Sequence, residues 1–173
     1  MGQRRGGIHE RRFREHLFKK IYLRRSVRDY KPNDVPDDII REVIKAGTYA
    51  RYAMNQPWRF EVIKNGEMIA RLSERAKKLW LDSVGKSSDP EIKRLEKAMK
   101  MPKFNIFYNA PVLVLIFAAP GAHSPQEVCA AAAENMMLAA RSFGIGSCWI
   151  GFGMPLGSDQ DTLVELKVPE GYR

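Results

Sequence analysis

Apolar side chains recur every three to four residues in six parts of this chain, and that spacing predicts six helices. Polar and charged residues fill most of the intervening positions, so each helix should turn one face toward a core. The predicted helices cover, in chain order, residues 13–23, 36–49, 69–80, 90–99, 124–143 and 159–166.

Proline, serine and glycine mark the ends of several predicted helices. Pro36 suits a first-turn position and is followed by two acidic residues that favour the positive end of a helix dipole. Ser124, Pro125 and Glu127 predict a capping box, and the helix that they open should stop at Gly144. This helix is rich in alanine and methionine, so we expect it to be buried inside the domain or against a partner subunit.

Three further segments predict strands. Residues 58–63 alternate in polarity, whereas residues 111–118 form an unbroken aliphatic run that is typical of a strand covered on both sides. Residues 147–152 predict a second interior strand. Helices that alternate with covered strands indicate an α/β or α+β sandwich.

Length and charge restrict the organisation of the chain. At 173 residues it is long enough for one domain, which we assign to residues 16–173 after a flexible basic arm at residues 1–15. The net charge is +9, and residues 1–31 contribute +8 of it through eleven basic and three acidic residues. The arm lacks interleaved aromatic residues and any nucleic-acid module, so a nucleic-acid partner is the disfavoured interpretation.

No apolar run in the sequence approaches the length of a bilayer span, and the charged N-terminus does not resemble a secretory signal. We therefore expect a cytoplasmic protein with no membrane partner. Cys129 and Cys148 are predicted to be small buried thiols, and the three histidines have no metal-ligand spacing. No nucleophile and base occur at a recognisable spacing, so a catalytic dyad is not predicted.

Three polar segments are candidates for chemistry, each with a simpler alternative. The run RRSVRDY, residues 24–30, holds three guanidiniums and a hydroxyl, which suits a phosphate but also a solvated basic turn. Asn55 and Gln56 can recognise the edge of a heterocycle or can cap a helix. The glycines of residues 144–151 allow close approach of a ligand or tight packing beneath a helix.

Four segments together carry a family resemblance. RRSVRDY, AMNQPWRF, NAPVLVLIFA and ENMMLAARSFGIGSCWIG occur in an order and spacing that resemble the nitroreductase family of FMN-dependent oxidoreductases. The resemblance spans about residues 16–173, and four motifs in register are far more specific than any one of them. The family also contains iodotyrosine deiodinases and a flavin-destroying branch, so the resemblance does not name a substrate.

The resemblance implies an α+β fold, an α/β sandwich in which a mixed sheet is flanked by helices. It implies a homodimer whose long central helices pack together, with two FMN sites at the interface. The implied activity is hydride transfer from NADH or NADPH through flavin N5 to a quinone-like or nitroaromatic acceptor, with ping-pong kinetics. The flavin carries this chemistry, so no catalytic side chain is expected.

By motif position, the resemblance assigns Arg24, Arg25 and Ser26 to the FMN phosphate and ribityl chain. It places Arg28 near the pyrimidine side of the flavin, where a fixed cation stabilises the negative charge of the reduced ring.

The remaining implied FMN contacts lie further along the chain. Asn55 and Gln56 would meet the isoalloxazine edge, while Trp149, Ile150 and Gly151 would line the ring face and supply backbone contacts near N5.

Two departures from the family pattern affect these expectations. Arg51 and Tyr52 stand where the family usually carries proline and a hydroxyl residue, and one residue fewer separates Asn55 from Gln56. The chain also stops at Arg173, so we expect it to lack the usual C-terminal strand and tail. An alternative is therefore a flavin-binding protein with little or no turnover.

Overall fold

The computed structural model describes residues 8–50, 57–85 and 87–172, with side chains described from residue 15 onward. These ranges contain six α-helices, one 3-10 helix and two strands. In chain order they are α1 (Ile8–Leu23), α2 (Asp37–Thr48), β1 (Trp58–Ile63), α3 (Gly66–Val84), α4 (Pro90–Met99), β2 (Leu113–Ala118), α5 (Pro125–Ser142), the 3-10 helix (Gly151–Ser158) and α6 (Gln160–Glu165). All six predicted helices are confirmed, and α1 begins within the segment that we assigned to the N-terminal arm.

The two strands pair antiparallel, in a register that runs from Trp58 opposite Ala118 to Ile63 opposite Leu113. Both strands were predicted, β1 with its observed bounds. The α+β class is confirmed, and within the described ranges the parallel component of the sheet is an isolated bridge between Ser26 and Ser147. In those ranges β2 has one strand neighbour, and only its last two residues are buried.

The predicted strand at residues 147–152 is wrong. Only Ser147 takes part in a bridge, and the chain turns at Gly151 into the 3-10 helix. Gly151 within the predicted strand and Gly153 directly after it favour a turn over a strand. The apolar residues that suggested a strand are used for packing instead, because Ile150 and Phe152 pack against the main core and Phe152 meets Trp80 edge to face at 5.7 Å.

The main core forms around α3. Ile69, Leu72 and Ala76 follow the three- and four-residue spacing of a helical face and are almost wholly buried. They pack with buried residues of α4, β2, the 3-10 helix and the loop before β2, which include Met99, Ile106, Phe107, Phe117 and Leu156. This cluster fixes the layer beneath the sheet.

A second contact joins α5 to α2. Gly47 lies so close to Met136 that a Cβ at position 47 would come within 2.8 Å of the Met136 Cγ. The Asn135 amide donates to the Ala46 carbonyl at 3.3 Å beside this contact. The buried residues of α5 recur every four positions, from Val128 to Ala140, so a single stripe of α5 is fully buried within this chain.

Two predicted helix starts differ in detail from the structure. Ser124 has a left-handed backbone, with φ of 50°, and its side chain makes no capping hydrogen bond, so the predicted capping box is wrong. That conformation directs the hydroxyl away from the N–H groups that a cap must satisfy. Pro36 occupies the N-cap position of α2, not its first turn. Asn65 instead provides a real cap, because its Oδ1 accepts from the Met68 N–H at 2.8 Å.

Within the described ranges, none of the helices is both long enough and apolar enough to cross a bilayer.

A buried lysine connects α3 to the loop after α4. The Lys77 side chain is only 5% exposed and pairs with the Glu74 carboxylate at 2.7 Å. Its ammonium also donates to the carbonyls of Met101 at 3.3 Å and Phe104 at 3.0 Å. An ammonium offers three donors, and all three have partners here. Lys77 therefore ties the chain before β2 to the centre of the core.

Replacing Lys77 with methionine should lower the free energy of unfolding by about 1–3 kcal/mol, because the Met101 and Phe104 carbonyls lose the buried ammonium that donates to them. Urea denaturation measures the change. Lys78→Met is the matched control, since Lys78 lies next along the same helix and is exposed. Equal losses in the two variants would contradict the role given to Lys77.

Candidate cofactor site

Two of the segments that the sequence singled out meet directly in the fold. Ser26 forms a parallel bridge with Ser147, and the Val27 N–H donates to the Ser147 carbonyl at 3.0 Å. The RRSVR segment leaves α1, whereas Ser147 follows α5, so this single pairing connects the ends of two helices that are distant in sequence.

Gly146 makes this pairing possible. A Cβ built at position 146 would lie 2.8 Å from Val27 Cγ2 and 3.0 Å from its Cβ and Cγ1. Real Cβ atoms do not approach so closely, so a side chain here would force the two segments apart. Gly144, with φ of 77°, lets the chain leave α5 in the left-handed conformation that glycine adopts without strain.

A cavity of about 190 Å³ lies beside the Ser26–Ser147 bridge. Its lining contains three arginines, Arg24, Arg25 and Arg141, together with apolar side chains such as Leu23 and Ile145. We call this space the arginine cavity. It is suited to an anion because guanidiniums supply forked, permanently charged donors.

A larger cavity of about 410 Å³ lies elsewhere, next to Asp159 and Asp161. None of the described residues that line it is basic, and Asp159 already accepts from the N–H and hydroxyl of Thr162. Size therefore does not identify the anion site, and the charge of the lining favours the arginine cavity.

The first two arginines of the cavity also have partners within the protein. Arg24 Nε lies 3.2 Å from the Glu134 carboxylate of α5. One terminal nitrogen of Arg25 donates to the carbonyls of Tyr22 and Arg24, both at 2.8 Å. These contacts anchor Arg24 to the middle of α5 and Arg25 to the end of α1, while their remaining N–H groups stay available to a ligand.

Arg28 follows the bridge in sequence and does not line the arginine cavity; its guanidinium carbon lies 5.9 Å from the centre of the Tyr108 ring. That distance is within the range of a cation–π contact. Tyr108 and Asn109 both have a positive φ of 54°, which is uncommon for residues with a side chain. The backbone before β2 is therefore held in a strained conformation where Tyr108 meets Arg28.

Tyr30 supports the RRSVRDY segment to which it belongs. Its hydroxyl donates to the Val27 carbonyl at 2.7 Å, so it braces the residue that Gly146 contacts. Burial raises the pKa of Tyr30 to about 12, and the nearby Cys148 adds to the increase while the charge of Arg28 opposes it. The phenol therefore stays protonated and remains a donor across the physiological range.

The structure places Trp149, Ile150 and Gly151 immediately after the bridge, at the start of the 3-10 helix. The Trp149 side chain is exposed, and the space that a Cβ at Gly151 would occupy has no atom within 4 Å. Asn55 and Gln56 lie outside the described residues.

The two thiols differ from the prediction in their burial. Cys129 and Cys148 are free and half-buried, not fully buried. Desolvation raises the pKa of the Cys129 thiol to about 11, so this cysteine stays protonated and unreactive.

Sequence reasoning missed Arg141 and Tyr108. Arg141 belongs to the ENMMLAARSFGIGSCWIG segment, and its position next to the glycines was the available signal. Tyr108 precedes the NAPVLVLIFA segment, but nothing in its sequence context indicates contact with Arg28.

Comparison with known proteins identifies the family of this chain. The family model described as "Nitroreductase family" matches residues 21–171, nearly the whole chain. The chain belongs to the nitroreductase family. That membership confirms the resemblance carried by the four sequence segments.

Relatives in this family differ in name and length. A protein of Archaeoglobus fulgidus named "Putative NADH dehydrogenase/NAD(P)H nitroreductase" is 32% identical over 143 residues, which are 79% of this chain and 68% of the relative. Mouse "Iodotyrosine deiodinase 1" is 32% identical over 140 residues, 73% of this chain but 48% of the relative. This chain thus matches about half of the mouse enzyme.

Solved structures of the nitroreductase family share the fold. The FMN-bound nitroreductase of Bacteroides fragilis is 33% identical with a TM-score of 0.76, over 91% of this chain and 82% of the other. The FMN-bound nitroreductase of Desulfitobacterium hafniense is 25% identical with a TM-score of 0.74, over 91% and 83% of the two chains.

The Gly146–Val27 contact predicts the effect of a small substitution. Gly146→Ala should lower the free energy of unfolding by about 1–3 kcal/mol, because the added methyl group overpacks the junction and Val27 must shift. Urea denaturation measures this loss.

Gly151→Ala is the matched control, since a methyl group there meets open space. It should leave the unfolding free energy unchanged. If Gly146→Ala is as stable as Gly151→Ala, the close contact at the bridge does not constrain this site.

Proposed function

We propose that this nitroreductase-family chain binds FMN beside the Ser26–Ser147 bridge and acts as an oxidoreductase with NADH or NADPH as electron donor. The observation that supports this most strongly is the bridge itself, because it brings Arg24 and Arg25 to one cavity with residues 145–147 of the GIGSCWIG segment. The FMN bound by the Bacteroides fragilis relative gives the cavity a chemically suitable occupant.

The described residues fit such a ligand. A phosphate monoester carries between one and two negative charges near neutral pH and accepts several hydrogen bonds, which matches the guanidiniums of Arg24 and Arg25. The open space beside Gly151 admits a flat ring close to the backbone. The exposed ring of Trp149 supplies apolar surface next to that space.

Each assigned residue then has a defined task. Arg24, Arg25 and Ser26 bind the phosphate and ribityl chain, and Trp149, Ile150 and Gly151 line the ring face. Asn55 and Gln56, which lie outside the described residues, are assigned to the ring edge by motif position. When bound, FMN supplies hydride transfer through its N5.

Arg28 provides electrostatic support for the reduced cofactor. A cation that is already in place stabilises developing negative charge without reorganisation of the site. Contact with the Tyr108 ring restricts the guanidinium before any ligand arrives. This arrangement needs no side-chain acid or base, in keeping with the absence of a predicted catalytic dyad.

The acceptor that we propose is a quinone-like or nitroaromatic compound, and the kinetics are ping-pong. The nicotinamide donor and the electron acceptor must both face the flavin ring and therefore occupy the same position in succession. The oxidised nicotinamide leaves before the acceptor binds. The alternative is a chain that binds flavin with little or no turnover.

Anaerobic titration of FMN-loaded protein with NADH and with NADPH tests the activity. We expect loss of the oxidised flavin absorbance with at least one donor, followed by reoxidation when a quinone or nitroaromatic is added. Flavin that stays bound but is not reduced would support the alternative, and failure to bind FMN would overturn the proposal. Arg28→Gln should slow reduction, whereas Arg41→Gln, an exposed change on α2, should not.

We also propose that the partner is a second copy of this chain. Helix α1 leaves Leu17, Phe18, Ile21, Tyr22 and Leu23 exposed, with Phe18 and Tyr22 stacked at 5.6 Å. A contiguous apolar surface of this kind is typical of an interface.

Sedimentation should therefore show a dimer, and Phe18→Asp should shift it toward monomer by placing a charge in the apolar contact. Val164→Asp is the control, because Val164 is an exposed apolar residue on α6. A wild-type monomer that retains FMN would contradict the proposed dimer.

A further inference from the structure

The arginine cavity lies where two helices end, and this position matters for its charge. Helix α1 ends at Leu23 and α5 ends at Ser142, and both ends present carbonyl groups with partial negative charge. Such ends repel an anion. The guanidiniums must therefore reverse the local potential before the cavity can accept a phosphate.

The positive charge of two of the three guanidiniums is partly offset by groups of the protein itself. Arg24 is paired with Glu134, whose carboxylate is 47% exposed and remains beside the cavity. Arg25 donates to the Tyr22 and Arg24 carbonyls and so offsets the end of α1. The positive charge left for a ligand is smaller than the number of arginines suggests.

Arg141 differs from these two residues. It lies in the last turn of α5 and lines the arginine cavity, yet its guanidinium has no hydrogen-bond or ion-pair partner among the described residues. Its side chain is exposed on one side and keeps all five N–H donors available. At many helix ends a basic residue does no more than balance the helix dipole. Arg141 differs because it also lines a cavity that contains two other arginines.

We infer that Arg141 binds the cofactor phosphate and supplies the third guanidinium of the arginine cavity. This inference rests on the proposed function, since the phosphate is that of FMN. Arg24 and Arg25 shape the cavity and contribute donors, while Arg141 provides the charge that no internal carboxylate or carbonyl neutralises. Its place directly before the SFGIGS turn puts it on the α5 side of the bridge, opposite the RRSVR segment.

Flavins with and without a phosphate test this role. The dissociation constants of FMN and riboflavin are measured by quenching of flavin fluorescence for the wild type, Arg141→Gln and Arg141→Lys. Arg141→Gln should weaken FMN binding about tenfold to hundredfold, the range expected for a lost charged hydrogen bond, and leave riboflavin binding unchanged. Arg141→Lys should be intermediate, because lysine keeps the charge but not the fork.

Arg94→Gln is the matched control, since Arg94 is an exposed arginine on α4 and the change in net charge is the same. It should bind both flavins like the wild type. Added salt should weaken FMN binding more in the wild type than in Arg141→Gln, because the removed contact is electrostatic.

The possible failures are distinguishable. If the wild type binds neither flavin, the proposed function is wrong and this inference fails with it. If the wild type binds FMN and Arg141→Gln binds it equally well, only the inference is overturned. Parallel loss of FMN and riboflavin in Arg141→Gln would also overturn it, since that result indicates a structural role for Arg141.

Discussion

The parallel pairing of Ser26 with Ser147 is the contact on which the candidate site depends. One backbone hydrogen bond, from the Val27 N–H to the Ser147 carbonyl, joins the end of α1 to the chain that leaves α5. The pairing exists because Gly146 has no side chain to keep Val27 away. The arginine cavity, the position of Arg28 and the exposed Trp149 all follow from this one close approach.

The scaffold around the site is built from two packed regions with different functions. The cluster around Leu72 on α3 is closed and apolar, and Lys77 ties the chain before β2 to it. The α2–α5 contact at Gly47 and Met136 fixes the helix from which Gly146 and Ser147 emerge. Most candidate site residues belong to short irregular segments that join these packed elements, as is common for binding residues.

Charge is also organised at two levels. Near the cavity, helix ends and Glu134 oppose an anion while three arginines attract it, so the local potential is a balance of opposing contributions. At the level of the chain, most of the positive net charge comes from residues 1–31, which include Arg24, Arg25 and Arg28. The basic N-terminal part thus includes the arginines of the proposed cofactor site, which the total charge alone does not distinguish from a nucleic-acid surface.

The sequence by itself determined the helices, both strands of the sheet and the family, because helical spacing and four motifs in register are local properties of the chain. It did not determine the 3-10 helix at Gly151–Ser158, since a short apolar run in a sequence fits a strand and a buried turn equally well. The packing of Leu156 into the core, which only the fold shows, distinguishes the two. Nor did the sequence show that Ser124 fails to cap α5. Only the tertiary structure decided that Arg24, Arg25 and Arg141 share one cavity, because that depends on a glycine contact between residues 119 positions apart in sequence, Val27 and Gly146.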